Sequence, residues 1–422
     1  KAQTGTSGEV GNTVVGYIAA TALLTGKYNT VIGADVFKAA NGAESNNTFV
    51  GYYSGADMND DSSEGNVGLG YAAFRSGTGT AIGNIAIGKW ALDATGSNAQ
   101  TGTIAIGYSA LTALTSGAEN VAVGYTALAG LTVGASNTVI GYNAANAMVL
   151  GETSNVAIGA DAMGSVSEGT AGGDANNNVA IGKDALYGGN FVDNDRQLEG
   201  NVAIGSGAMD STGASAQTGT IAIGRSALTN LSTGAGNTAV GYQAGTLLTT
   251  GGQNVIIGYQ AMDAADATEE NNVAVGYGAL GAMDEGGSYA ANGNIGIGYN
   301  AGLSGAVNAN HLDNIAIGRT ALDGSSNIGV SDNVAIGGLA LSGAITQSGT
   351  IAIGSSALNA LTSGSANTAI GYQSLDAEDA GNYNTALGYQ TLTAQDGGES
   401  NTAIGWTAGA AVSTGDKNTI VG

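Results

Sequence analysis

The sequence predicts an all-β fold, an elongated parallel β-solenoid (a β-roll) built from rungs of about 17 residues. Three observations carry this. First, the phrase Asn367-Thr-Ala-Ile-Gly-Tyr-Gln-Ser-Leu375 recurs along the chain in 23 copies, at a commonest spacing of 17 residues and a longest of 23. A fixed short period marks units that stack on their neighbours. Second, every copy has Ile, Val or Leu just before its glycine, and most have Thr, Val or Ile two residues earlier. That is the period of two of a strand. Third, glycine numbers 74 of 422 residues and proline is absent. Each such glycine would cost a helix about 1 kcal/mol relative to Ala, so local stretches such as Ala-Leu-Thr-Ala-Leu do not outweigh the array.

The unbroken period makes residues 1–422 one repeat domain. The glycines follow no Gly-X-Y pattern, which excludes collagen. Ten Lys and Arg stand against 33 Asp and Glu, a formal net charge of −23. Such a surface repels nucleic acid and anionic membranes and suits a hydrated extracellular setting. With no cysteine, a disulfide scaffold and a thiolate metal site are excluded. No apolar run approaches the ~20 residues that a membrane-spanning helix needs. The chain starts on Lys1, between repeats, and stops on the glycine of a repeat, so it reads as a mature product or a segment of something longer.

Numbering each rung from its Asn, positions 1 to 5 read as a short strand. The apolar residue at position 4, Ile, Val or Leu in every copy, marks the expected buried side. Ala at position 3 and Gly at position 5 would then form a small-residue face open to another backbone. A bend at the Gly would turn the Tyr of position 6 away, and positions 6 to 10 would form a second short strand. The Leu-Thr-Ser-Gly segments that follow read as turns.

Position 1 is Asn in 20 copies and Thr in three, Thr103, Thr220 and Thr350. Stacked Asn side chains form amide ladders in cross-β arrays and here would satisfy a buried turn. Asn201, Asn237 and Asn367, with Ile204 and Ile370, Gly205 and Gly371, represent this structural ladder. The three Thr copies share a Gln-(Thr/Ser)-Gly-Thr-Ile-Ala-Ile-Gly context, a sign of block duplication. Longer rungs carry their extra residues at one phase, in Ser165–Asn177, Tyr187–Gly200, Gly281–Gly293 and Ser304–Asp313. Insertions on one side of a solenoid are often its binding face.

The run Asn201-Val-Ala-Ile-Gly-Ser-Gly-Ala208 resembles the head repeat of trimeric autotransporter adhesins. The longer form Asn-Thr-Ala-Ile-Gly-Tyr-Gln-Ala is similar to tail-fibre-type repeats of phages and bacteria. The resemblance covers nearly the whole chain. It implies a left-handed parallel β-roll, a homotrimer, and a cell-surface or virion fibre that adheres to a host or matrix. The chain departs from it in rung length, which is about 14 residues in the adhesin heads, and in lacking a heptad stalk, a barrel anchor and a C-terminal chaperone segment.

Catalysis is not expected. A hydrolase needs an activated nucleophile with a base, or two placed carboxylates, and the one histidine, His311, falls in an inserted loop. No cofactor is implied. Calcium at an acidic loop is conceivable on its oxygen ligands alone, at Asp57-Met-Asn-Asp-Asp61 with Glu64, at Asp193-Asn-Asp195, or at Glu269-Glu270, though none has the spacing of a known calcium loop. The position-6 tyrosines read as a stacking ladder or as a sugar-binding strip. The residues chosen for ligand contact, Tyr187, Phe191, Asp193, Arg196 and His311, are aromatic, charged or His residues of the long rungs. The expected function is an extracellular fibre or adhesin segment that contacts a host glycan or protein. A self-assembling surface filament is the alternative, and an ice-binding solenoid the third reading.

Overall fold

The computed structural model describes residues 11–422, apart from 76, 167–173, 189–196, 213–216, 266–267, 282, 285–290, 303–305, 308–309 and 325–328. It forms two compact units, Lys1–Thr218 and Gly219–Gly422. No described residue is helical. Each unit is a parallel β-solenoid. A three-residue strand at positions 2 to 4 recurs eleven times in the first unit, from Thr13–Val15 to Val202–Ile204, and twelve times in the second, from Ile221–Ile223 to Thr419–Val421.

The strands pair in parallel at identical phase: Thr368 opposite Thr385, Ala369 opposite Ala386, Ile370 opposite Leu387. Each strand is tied to both neighbours. The Thr368 N–H donates forward to the Asn384 carbonyl at 2.8 Å, and the Gly371 N–H donates backward to the Ile353 carbonyl at 2.8 Å. Every backbone group of such a thin rung must find its partner in the next one.

The faces are the reverse of the expectation. Ala369 is fully buried while Thr368 and Ile370 are only half-buried. The same pattern holds for Ala203 between Val202 and Ile204. The interior of a rung is filled by position 3, by positions 8 and 9 across from it, and by position 12, as in Ala105, Ala110, Leu111 and Leu114. Ala fills this position in most rungs, and Val31, Phe49, Val139 and Ile256 are buried at it in others. Positions 2 and 4 therefore point outward, and position 3 is turned to the chain's own opposite wall.

Volume exchanges within the core show how tight that fit is. Phe49 takes position 3 and is fully buried, with ring centroids 5.1 Å from Phe37 and 6.2 Å from Phe74. It is accommodated by glycines on two neighbouring elements: a Cβ at Gly68 would lie 2.5 Å from its ring, and one at Gly55 2.8 Å. Interiors are close-packed, so a large residue at one position requires a small one beside it.

Positions 6 to 10 form a turn instead of the expected second strand. Two of its residues adopt left-handed backbone angles without being glycine, as at Gln373 (φ 50°) and Leu375 (φ 52°). The alternation sends the Gln373 N–H back to the Ser355 carbonyl and the Leu375 N–H forward to the Thr391 carbonyl, both at 3.0 Å. These bonds hold a conformation that costs a lone residue about 1–2 kcal/mol. The position-5 glycine has a different need. Gly371 has φ 142°, and a Cβ on it would lie 2.1 Å from the Gly388 carbonyl oxygen.

Rungs longer than 17 residues add short paired strands just before the Asn. Asp174–Asn176, Gln197–Glu199 and Gln217–Thr218 form one such sheet, and Ala291–Asn292 pairs with His311–Leu312. Three residues before the Asn, at position −3, the longer rungs turn a side chain inward: Glu44, Gln100, Glu152, Leu198 and His311 are all buried there. Many 17-residue rungs place a glycine at that point, such as Gly134, Gly251 and Gly381.

Candidate functional site

Within each unit the Asn column forms a hydrogen-bonded ladder, interrupted where Thr replaces Asn. The Asn367 Oδ1 accepts the Asn384 N–H at 2.8 Å, and its Nδ2 donates to the Gly381 carbonyl at 2.7 Å. Asn237 repeats this with Asn254 and Gly251, and Asn201 donates to Gln217. All three side chains are fully buried, so their polar atoms are engaged in the stack. Where Thr103 replaces Asn, its hydroxyl is buried without a partner.

The surface that can meet a ligand is the face carrying positions 6, 7 and 10. Position-6 rings stack from rung to rung: Tyr108 on Tyr125 at 5.0 Å and Tyr125 on Tyr142 at 5.4 Å, then Tyr259 on Tyr277 at 5.3 Å and Tyr277 on Tyr299 at 5.1 Å, with near-parallel planes. The spacing follows the ~4.8 Å between neighbouring strands, and the rings remain about half exposed. Beside them position 7 forms a polar row, with Gln260 donating to Gln243 at 3.1 Å and Gln390 to Gln373 at 2.9 Å.

Carboxylates at position 10 are perturbed in a common direction. Burial raises Asp93, Asp210, Asp263 and Asp376 above the ordinary aspartate range. Asp57 and Asp184 add to the effect on Asp93 and Asp210, against which Arg75 and Lys183 act. At each of them removal of water disfavours the charged form.

This face bears cavities in both units. In the second, a cavity of about 190 Å³ is lined by Gln260, Asp263, Tyr277, Asn300 and Asp323 and opens where Gly278 and Gly281 lack side chains. In the first, one of about 310 Å³ is lined by Tyr52, Tyr53, Tyr71, Ala72, Arg75 and Trp90. Beside it lies another of about 260 Å³, lined by Asp57, Arg75, Gly77, Asp93, Ala94 and Gly96. Arg75 belongs to both, and its Nε lies 3.2 Å from Asp93 and 3.6 Å from Asp57.

The residues chosen from the sequence are not gathered at these cavities. Tyr187 is exposed at position 10. Phe191, Asp193 and Arg196 lie outside the described residues, as do most of the insertions. His311 is fully buried at position −3, not exposed on a loop. Its Nδ1 accepts the Val330 N–H at 3.5 Å, its Nε2 has no partner among the described residues, and burial lowers its pKa. An imidazole packed between Ala291 and Val330 of the adjoining rungs cannot reach a ligand.

The acidic stretches are likewise dispersed. Asp57 pairs with Arg75, Asp60 accepts the Ser62 N–H and the Thr80 hydroxyl, and Glu269 is buried. Asp193 and Asp195 lie outside the described residues. Among the described residues no three His, Asp or Glu side chains gather as a metal site.

Tyr53, Arg75 and Trp90 were missed by sequence reasoning. The available signal was phase: of all the rungs, only these two, Tyr53 and Trp90, carry an aromatic residue at position 7. Compared with family models, with curated proteins and with solved structures, the chain finds no match.

Proposed function

We propose that the chain is a segment of an extracellular fibre that works by attachment, with copies of itself packed side by side. One observation carries this reading: the outward strip of positions 2 and 4 is uncharged in every rung, on a chain of net charge −23. Ile140 is 39% exposed, Ile257 39% and Ile404 41%, although soluble monomers rarely expose contiguous apolar patches beyond a few hundred Å². In eleven rungs at ~4.8 Å, positions 2 and 4 lie about 7 Å apart along the strand, so the strip presents roughly 350 Å² in one unit, the size at which the largest exposed apolar patch of a chain is often an interaction site. The resemblance to adhesin heads and tail fibres supports three copies.

Light scattering on the purified chain tests the packing. A discrete oligomer is expected, and Ile140→Arg with Ile257→Arg should release monomers that keep their β circular dichroism. Monomers from the unaltered chain at micromolar concentration would sink it. Attachment is tested by retention of labelled chain on a panel of intact bacterial and animal cells, and absence of retention on all of them counts against it. The same strip also supports ice binding, because Thr368, Thr385, Thr402 and Thr419 stand outward in register. Thermal hysteresis with no self-association would favour that second reading.

A further inference from the structure

We infer that the paired cavities around Ala72 bind a neutral oligosaccharide, one pyranose ring lying between Tyr53 and Trp90 and the next beside Arg75. The inference rests on the attachment reading and names a site and a ligand class for it.

Position 7 of most rungs is small or polar, and at Ala72 it is a buried methyl group. The rungs on either side carry Tyr53 and Trp90 at this position, half-buried. Two rung steps separate them, about 9.6 Å between backbones. A ring in van der Waals contact with both sides needs about 7–8 Å. Tyr52 and Tyr71 complete the wall, 5.6 Å apart between centroids, and Trp90 stands edgewise to Tyr71 at 6.3 Å. The accessible lining of the cavity is mainly polar, so the hydroxyls of a sugar meet phenol and indole groups while the ring edges bound the slot.

The second cavity supplies hydrogen bonds. Both Asp57 and Asp93 approach the Nε of Arg75. These are ionic contacts without a hydrogen bond, so the guanidinium donors stay available to hydroxyls. Arg75 lines the first cavity as well as the second.

Charge favours a neutral ligand. Lys38 lies 4.2 Å above Tyr53 and Lys89 3.9 Å above Trp90, so the zone holds three of the chain's ten cationic residues. Asp35, Asp57 and Asp93 balance them. The sum is zero on a strongly acidic protein, which gives no attraction to an acidic glycan and does not penalise an uncharged one.

The chain has two tryptophans, Trp90 and Trp406, so Trp406→Phe leaves Trp90 as the sole indole reporter. The full-length W406F chain is titrated with maltotriose, cellotriose, mannotriose and lactose, with 3′-sialyllactose as the acidic counterpart. At least one neutral sugar should change Trp90 emission and saturate at millimolar concentration. Tyr53→Ala should weaken it tenfold or more. Ala72→Leu should abolish it by filling the slot; Leu339 shows that position 7 tolerates leucine with a left-handed backbone (φ 60°). Circular dichroism and melting confirm that both variants remain folded.

No change with any neutral sugar, unaltered binding by A72L, or tighter binding of sialyllactose would overturn the inference. Cell retention is measured in parallel. Retention unaffected by A72L, with no sugar bound, rejects the slot and leaves the attachment reading standing. Absence of retention by the parent chain rejects that reading instead.

Discussion

The backbone N–H of Asn384 donates to the side-chain Oδ1 of Asn367, 2.8 Å away and one rung earlier. The Asn384 amide in turn holds the Asn401 N–H at 2.9 Å and donates to the Gly398 carbonyl at 2.7 Å. Replacing Asn384 by Ala orphans the buried Asn401 N–H, whereas the Gly398 carbonyl keeps the Gln395 side-chain amide at 3.0 Å, and we expect a loss of about 1–3 kcal/mol. Conversely, Thr103→Asn replaces a partnerless buried hydroxyl with a ladder amide and should add about 1 kcal/mol. Urea unfolding followed by circular dichroism reads both, and a neutral Asn384→Ala would show the ladder to be ornamental.

Glycine serves two separate purposes here, and alanine scanning should separate them. At Gly371 an added Cβ meets the next rung's backbone at 2.1 Å, so Gly371→Ala should cost at least about 3 kcal/mol. Gly397 also has a positive φ, 76°, but nothing lies within 4 Å of its Cβ. Gly397→Ala should therefore cost only about 1–2 kcal/mol, the backbone penalty alone. Equal melting temperatures for the two variants would refute the steric role of the neighbouring rung.

The core exchange at Phe49 should appear as coupling. Phe49→Ala leaves a cavity and is expected to cost about 3–5 kcal/mol. Gly68→Ala pushes a methyl group to 2.5 Å from the ring and should also destabilise, by about 1–3 kcal/mol. Together they recreate the alanine column of other rungs, so the double variant should be less damaged than the sum of the single ones. Strict additivity in a double-mutant cycle would contradict close packing here.

Acid should act in two opposite ways. Burial lowers the pKa of His311, so its contribution is intact above the ordinary value near 6.5 and is lost as pH falls through the lowered one. Melting temperature should drop as pH falls below 6, and His311→Leu should remove that part of the drop. Burial raises Asp376 above 3.8, so its contribution is present below 3.8 and lost as pH rises through the raised value. Asp376→Asn should then raise the melting temperature at pH 7 by about 1–2 °C and leave it unchanged at pH 3. A pH-independent effect of either substitution would break its link to titration.

The period, the strand and its register were readable because twenty-three copies repeat one phase. The inward face was not. Hydropathy ranks Ile370 above Ala369, yet Ala369 is the buried one. The deciding quantity is the distance to the opposite wall, which depends on residues eight to twelve places into the rung. His311 was misplaced for a related reason. An inserted stretch reads as a loop, but its last residues pair with the preceding rung and turn the imidazole inward. The cavity residues were hidden because each is ordinary alone. Tyr53 and Trp90 acquire meaning only by their common phase on either side of Ala72.

Added length enters each turn just ahead of the Asn, and the backbone there closes again before the ladder begins, as Ala291–Asn292 and His311–Leu312 show. A rung can therefore carry foreign peptide at that point while the stack keeps its pitch. Sequences grafted between position 12 and position −3 would be displayed at intervals fixed by rung number within either unit, which makes each unit a ruler for spacing epitopes or enzymes.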